Sequence, residues 1–254
     1  MGVISWFVRK GRNMLSLSSL NSLAMKTIAL SLITFCFITT ASFAQYNCSK
    51  YYPFSEGATS QLSMYDKKGK LSVIVEYRIT NVTSTGNSEV ATMIHRLIDE
   101  KGNLVSSSEY DITCKDGVAS LDFKSLSNQQ MLQQFGDVDY EITGTNIELP
   151  NDLSVGQNLP DAGINIKISM EGTSIMNMNI SITDRNVIGK ETVTTPAGTF
   201  ECFVISSTTV MKMGTNMTSK SKQWIAEGVG VVKTEDYDKK GKLRGSGLLT
   251  SFSK

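Results

Sequence analysis

Period-two alternation of apolar and polar residues is the pattern that most restricts this chain. Val73, Val75, Tyr77 and Ile79 fall on one side of such a run, with Ser72 and Arg78 among the residues opposite. Ile164, Ile166, Ile168 and Met170 alternate with Asn165, Lys167 and Ser169, and Met176, Met178, Ile180 and Ile182 alternate with Asn177, Asn179 and Ser181. Phe203, Ile205, Met211 and Met213 share the parity of a further run. Successive side chains of a strand point to opposite faces, so these segments bury one face and wet the other, as in an antiparallel sheet.

The turns between the runs carry their own chemistry. Asp66-Lys67-Lys68-Gly69-Lys70-Leu71 recurs as Asp99-Glu100-Lys101-Gly102-Asn103-Leu104 and as Asp238-Lys239-Lys240-Gly241-Lys242-Leu243. An aspartate caps such a turn with its carboxylate and the glycine takes the positive φ of a type I turn with a bulge. The heptapeptide YDKKGKL occurs at 65–71 and again at 237–243, but the flanks do not match, so shared hairpin chemistry explains the repeat more economically than a duplicated half-domain. The lysine-bearing turns read as solvated tips. One helix is expected from Ser127 to Phe135. Ser127 and Gln130 suit a capping box, Met131, Leu132 and Phe135 form its apolar stripe, and Gly136 closes it. Pro150 and Pro160 bracket a loop between two β-rich halves, expected to be mobile.

The N-terminal part reads differently. From Met25, Lys26 supplies a positive start, Ile28 to Ile38 an apolar run, and Ser42 and Ala44 the small residues before a cleavage site at Gln45. This is the three-part pattern of a secretory signal peptide, and its apolar run is short for a bilayer span. Residues 1–24 are either an extended start of that signal or lie upstream of Met25 as the initiator, the reading preferred. Cys36 lies inside the apolar run and is not a lipid-attachment cysteine. The expected organisation is a leader over 1–44 and a single β-rich domain over 45–254, periplasmic or secreted and monomeric, with no transmembrane span after cleavage.

The chain has 25 basic and 24 acidic residues and is 40% hydrophobic. All four basic residues of 1–44 lie in the leader, so 45–254 carries 21 basic against 24 acidic groups. A mildly acidic exported domain has no electrostatic reason, taken as a whole, to bind nucleic acid or anionic lipid. His95 is the only histidine, which excludes multi-histidine metal sites, and no nucleophile elbow or phosphate-binding loop is present. Asp137 and Asp139 could hold a divalent cation, but a solvated strand end explains them more simply. No catalytic residue, cofactor or metal is expected. Cys48, Cys114 and Cys202 remain after cleavage, an odd number for an oxidising compartment. A Cys48–Cys114 disulfide with Cys202 a free thiol, buried or half-buried, is the expected arrangement, although sequence alone does not fix the pairing.

Methionine is unusually dense. Met170, Met176, Met178, Met211, Met213 and Met217 fall in a short stretch, four of them in M-x-M pairs. Thioethers can hold copper(I), yet each pair shares parity with Ile or Phe, as core residues do, and methionine fills irregular apolar space well. A concave face carrying Met170, Met176, Met178, Met211 and Met213 could accept an acyl chain or a partner's apolar segment.

In the C-terminal half, Glu191-Thr192-Val193 precedes Thr195-Pro196-Ala197-Gly198-Thr199-Phe200 and Cys202-Phe203-Val204-Ile205, and Trp224-Ile225-Ala226-Glu227-Gly228-Val229-Gly230-Val231-Val232-Lys233 follows. This arrangement resembles the TapB family of exported Bacteroidetes-type proteins, over most of the chain after the leader. The resemblance implies a curved antiparallel sheet similar to the half-barrels of LolA-like periplasmic carriers, and it implies no catalytic residues. The fold class expected is therefore mainly β, a curved antiparallel sheet or half-barrel with one or two short helices. The function expected is non-enzymatic binding of a lipid or an envelope protein in the concave face, with a structural or surface-associated envelope role as the alternative.

Overall fold

A computed structural model describes residues 48–126 and 139–254, and the structural statements below concern these. Thirteen strands are found among them. They are β1 (Thr59–Asp66), β2 (Leu71–Thr85), β3 (Ser88–Asp99), β4 (Leu104–Lys115), β5 (Val118–Leu121), β6 (Asp139–Thr145), β7 (Ile147–Pro150), β8 (Ala162–Met170), β9 (Thr173–Thr195), β10 (Gly198–Met213), β11 (Thr215–Ala226), β12 (Gly230–Asp238) and β13 (Leu243–Ser253). They form one antiparallel sheet in the order β6-β8-β9-β10-β11-β12-β13-β1-β2-β3-β4-β5-β7, nearly closed into a barrel. The described part holds no α-helix, only a 3-10 turn at Phe123–Leu126. The leader, the helix expected over 127–135 and Asp137 lie outside the described residues.

The three Asp-Gly turns share one hydrogen-bond scheme. Asp66 Oδ1 accepts the backbone N–H of Lys68 at 2.8 Å and of Lys70 at 2.9 Å. Asp99 Oδ1 takes those of Lys101 and Asn103 at 2.9 and 2.8 Å, and Asp238 Oδ1 those of Lys240 and Lys242 at 2.9 and 3.0 Å. The glycine of each turn has φ near +80°, at 77°, 86° and 79°, which a residue bearing a Cβ adopts only with strain.

Hydrogen bonding to the charged form holds all three carboxyls below the usual aspartate range. The Lys70 N–H leads at Asp66, the Asn103 side chain at Asp99 and the Lys242 N–H at Asp238. A pKa depressed on folding gives stability that is present above the unfolded value, about 3.9, and lost as pH falls through the folded value. The triple Asp→Asn variant is therefore expected to show a flatter fall in urea midpoint between about pH 5 and pH 2 than the parent protein. An unchanged acid limb would contradict this assignment.

Burial follows the alternation. Ile164, Ile166 and Ile168 of β8 are buried, and pairing sets them beside Ile180, Met178 and Met176 of β9. Phe123 covers this patch. It can do so because Gly144 of β6 lacks a Cβ, which would lie 2.7 Å from the Phe123 ring and 2.4 Å from the Gly163 carbonyl oxygen. Trp224 is buried in a separate cluster with Val193, Cys202 and Val204, and its indole N–H donates to Glu191 Oε2 at 2.7 Å.

The segment between β7 and β8 is not the loose loop the bracketing prolines suggest. The Leu159 N–H donates to the Arg185 carbonyl and the Val187 N–H to the Gln157 carbonyl, so the loop pairs with β9. Leu153 and Leu159 are buried against Val187, Phe203 and Tyr51. Backbone pairing and apolar burial together hold it down.

β6 and β7 are the two edges of the sheet. Arg185 of β9, on the β6 side of the opening, has its guanidinium buried, with Nη2 donating to the Glu148 carbonyl of β7 at 2.8 Å and Nη1 to the Pro160 carbonyl at 2.6 Å. One side chain thereby ties the two ends of the sheet together.

Candidate ligand cavity

Directly opposed residues of neighbouring strands share a face of the sheet. Ile205 pairs with Gln223, Gln223 with Thr234, Thr234 with Gly247 and Gly247 with Met64. Leu62 pairs with Val75 and Val75 with Leu97, while Ile79 pairs with Met93 and Met93 with Tyr110. These rows run across β10-β11-β12-β13-β1-β2-β3-β4, and the rolling of the sheet brings all of these residues except Ile205, Leu97 and Gly247 around a cavity of about 250 Å³. Ala58, Leu62, Met64, Val75, Ile79 and Met93 make the apolar wall, and Tyr52, Tyr77 and Tyr110 line it with rings. Gly230 takes a φ of 88°, which a residue bearing a Cβ adopts only with strain.

Polar groups on the wall are few. The Tyr110 hydroxyl donates to Met93 Sδ at 3.3 Å. Burial pushes the Tyr77 hydroxyl up to about 12 and raises those of Tyr52 and Tyr110, so all three rings stay neutral at physiological pH. Thr234 Oγ1 is buried and has no hydrogen-bond partner among the described residues. Arg78, Gln223, Thr59 and Ser60 complete the polar part of the lining, which contains no histidine, cysteine or carboxylate. Such a wall can enclose an apolar chain and offer it a hydroxyl, but it presents no nucleophile with an adjacent base.

His95 is paired with Tyr77 on the same face of the sheet but does not line the cavity. Its ring stacks on Tyr77 with centroids 5.2 Å apart and 19° between planes, and Nδ1 is 3.3 Å from Ser108 Oγ. Burial lowers its pKa, which favours the neutral imidazole.

The methionines singled out in the sequence occupy other places. Met178 is buried among Ile164, Ile166, Ile168 and Ile180, with Met176 and Met211 half-buried against the same patch. Met170 and Met213 are 49% and 42% exposed. None of the five lines the cavity, whereas Met64 and Met93 do. Cys48 and Cys114 form a disulfide, and Cys202 is a free, buried cysteine whose thiol is pushed up to about 11 by burial and by Glu201 and Glu191. Asp139 opens β6. Among the described residues no helix is long and apolar enough to cross a membrane.

Residues 55–249 match the model of a family described as DUF3108-like. No curated protein matches the chain. Two solved structures share its fold. One is a protein described as exported, with a YmcC-like fold, from Bacteroides fragilis; it is 22% identical, with 82% of this chain and 100% of its own covered at a TM-score of 0.66. The other is described as a lipoprotein from Parabacteroides distasonis, 24% identical, with the same coverage and TM-score.

Proposed function

The chain belongs to the DUF3108-like family, and from that premise we propose that it is a non-enzymatic protein of the periplasm or cell exterior that holds a small amphiphile in its barrel cavity. The TPAGTF-to-GVG arrangement supports a place beside the TapB group within that family. The signal-peptide pattern before Gln45 and the disulfide support export. The descriptions of the Bacteroides and Parabacteroides neighbours as exported protein and lipoprotein point the same way.

One observation carries the ligand reading: an apolar cavity lined in part by Thr234, whose buried Oγ1 has no hydrogen-bond partner among the described residues. A buried polar group without a partner costs roughly 1–3 kcal/mol, which a ligand supplying that partner recovers. The volume restricts the ligand. About 250 Å³ exceeds the roughly 150 Å³ that admits benzene and lies under the roughly 300–1,000 Å³ of sites for drug-sized molecules. One short aliphatic chain with a polar end fits this space, and a two-chain phospholipid does not.

The test is titration of the purified protein with a short fluorescent fatty acid. Saturable binding is expected. Ala58→Leu, which fills the cavity from its wall, should abolish it while leaving the thermal midpoint within a few degrees. Thr234→Val keeps the shape and removes the hydroxyl, so it should weaken binding by about five- to tenfold. Absence of saturable binding, or equal binding by Ala58→Leu, would favour the structural envelope role instead.

A further inference from the structure

Five hairpins turn at one end of the barrel: β8–β9, β10–β11, β12–β13, β1–β2 and β3–β4. We propose that these tips form a docking rim for an anionic lipid surface. Two independent properties of the tips point there.

The first is charge. The three Asp-Gly turns at 66–71, 99–104 and 238–243 carry seven lysines against four carboxylates, in a domain that over 45–254 has more acidic than basic groups. Asp66, Asp99 and Asp238 are spent on their own turn backbones. The ion pairs at these tips are Lys70 with Glu100 and Arg244 with Asp238. Lys67, Lys68, Lys101, Lys239 and Lys240 are exposed and enter no ion pair among the described residues. Order in the sheet sets the three turns on neighbouring hairpins, so their fields add.

The second is exposed apolar surface at the same end. Leu104 and Leu243 close their turns and are exposed, as are Met213 and Met217 around the β10–β11 tip and Met170 and Ile175 around the β8–β9 tip. Solvated turns need no such residues, and apolar side chains gathered at one end mark a contact surface. These tips stand on neighbouring hairpins at one end of the barrel. They suit a headgroup layer, which yields to them: lysines meet lipid phosphates while Leu and Met side chains enter the acyl boundary.

Vesicle flotation of the purified protein tests this, with phosphatidylcholine vesicles and with vesicles that also contain phosphatidylglycerol. Binding is expected only when phosphatidylglycerol is present, and it should weaken as salt rises. Reversing Lys67, Lys68, Lys239 and Lys240 to Glu should lower it by about a hundredfold. Met213→Ser with Met217→Ser should lower it less and by a salt-independent amount. All six side chains are exposed, so unchanged circular dichroism is expected for both variants. Equal binding to both vesicle types, or phosphatidylglycerol binding that survives the lysine reversals, would overturn the proposal. Neither result bears on occupancy of the barrel cavity.

Discussion

Replacing Cys48 and Cys114 together by Ala is expected to lower the stability of the folded barrel by about 4 kcal/mol, read as the change in urea unfolding free energy. The bridge joins residues 66 apart in sequence, and a closed loop of that length removes much of the freedom of the unfolded chain. It also tethers the segment that precedes β1. The Cys48 N–H donates to the buried Glu89 carboxylate at 2.9 Å, and Asn151 Nδ2 donates to the Cys48 carbonyl at 2.7 Å. Tyr51 and Phe54, just beyond, are buried in two different clusters. Hydrogen exchange should therefore quicken over 48–58 more than elsewhere in the double variant. Cys202→Ala is the control: it removes a buried thiol that makes no bridge, and about 1 kcal/mol of lost packing is expected. Equal losses in the two variants would contradict this account of the bridge.

Arg185→Leu is expected to cost about 3 kcal/mol. Loss of the guanidinium leaves the Glu148 and Pro160 carbonyls without donors in a buried setting, at roughly 1–3 kcal/mol each, offset in part by no longer burying a cation. Burial pulls the Arg185 pKa down while Tyr52, Glu148 and Asp161 favour its charge, and a guanidinium stays protonated at any physiological pH. Arg185→Lys keeps a cation but has no planar fork for two carbonyls, so it should recover less than half of the loss. Faster exchange of amides in 147–150 and 157–161 would identify the damage as opening of the sheet at its edges. A loss under about 0.5 kcal/mol would mean that the edges do not depend on this side chain.

Local pattern and long-range pairing were legible to different degrees. The alternation at 164–170 and 176–182 gives strands whose Ile164, Ile166, Ile168 and Met178 are buried, because parity alone assigns a face. The repeated Asp-Gly turns adopt the same bonds three times, since every partner lies within four residues of the aspartate. Depth within a face was not legible. Met170 has the parity of Ile168 but sits at the strand end and is exposed among the described residues. The cavity was equally hidden. Its wall joins Met64, Met93, Gln223 and Thr234, residues up to about 170 apart that only the closing order of the sheet brings to one face. The position of Arg185 was hidden too: β9 continues through Asp184-Arg185-Asn186, with Asp184 at a φ of 53° and Arg185 buried toward the far edge. A buried cation amid polar residues has no periodic signature.

Native mass spectrometry of the protein released gently from its own envelope tests the central claim most directly. A bound amphiphile with a single short chain is expected on the parent protein and absent from Ala58→Leu prepared in the same way. A bare polypeptide mass for the parent under conditions that preserve its fold, or the same adduct on both proteins, would contradict the assignment of the barrel cavity as a ligand site.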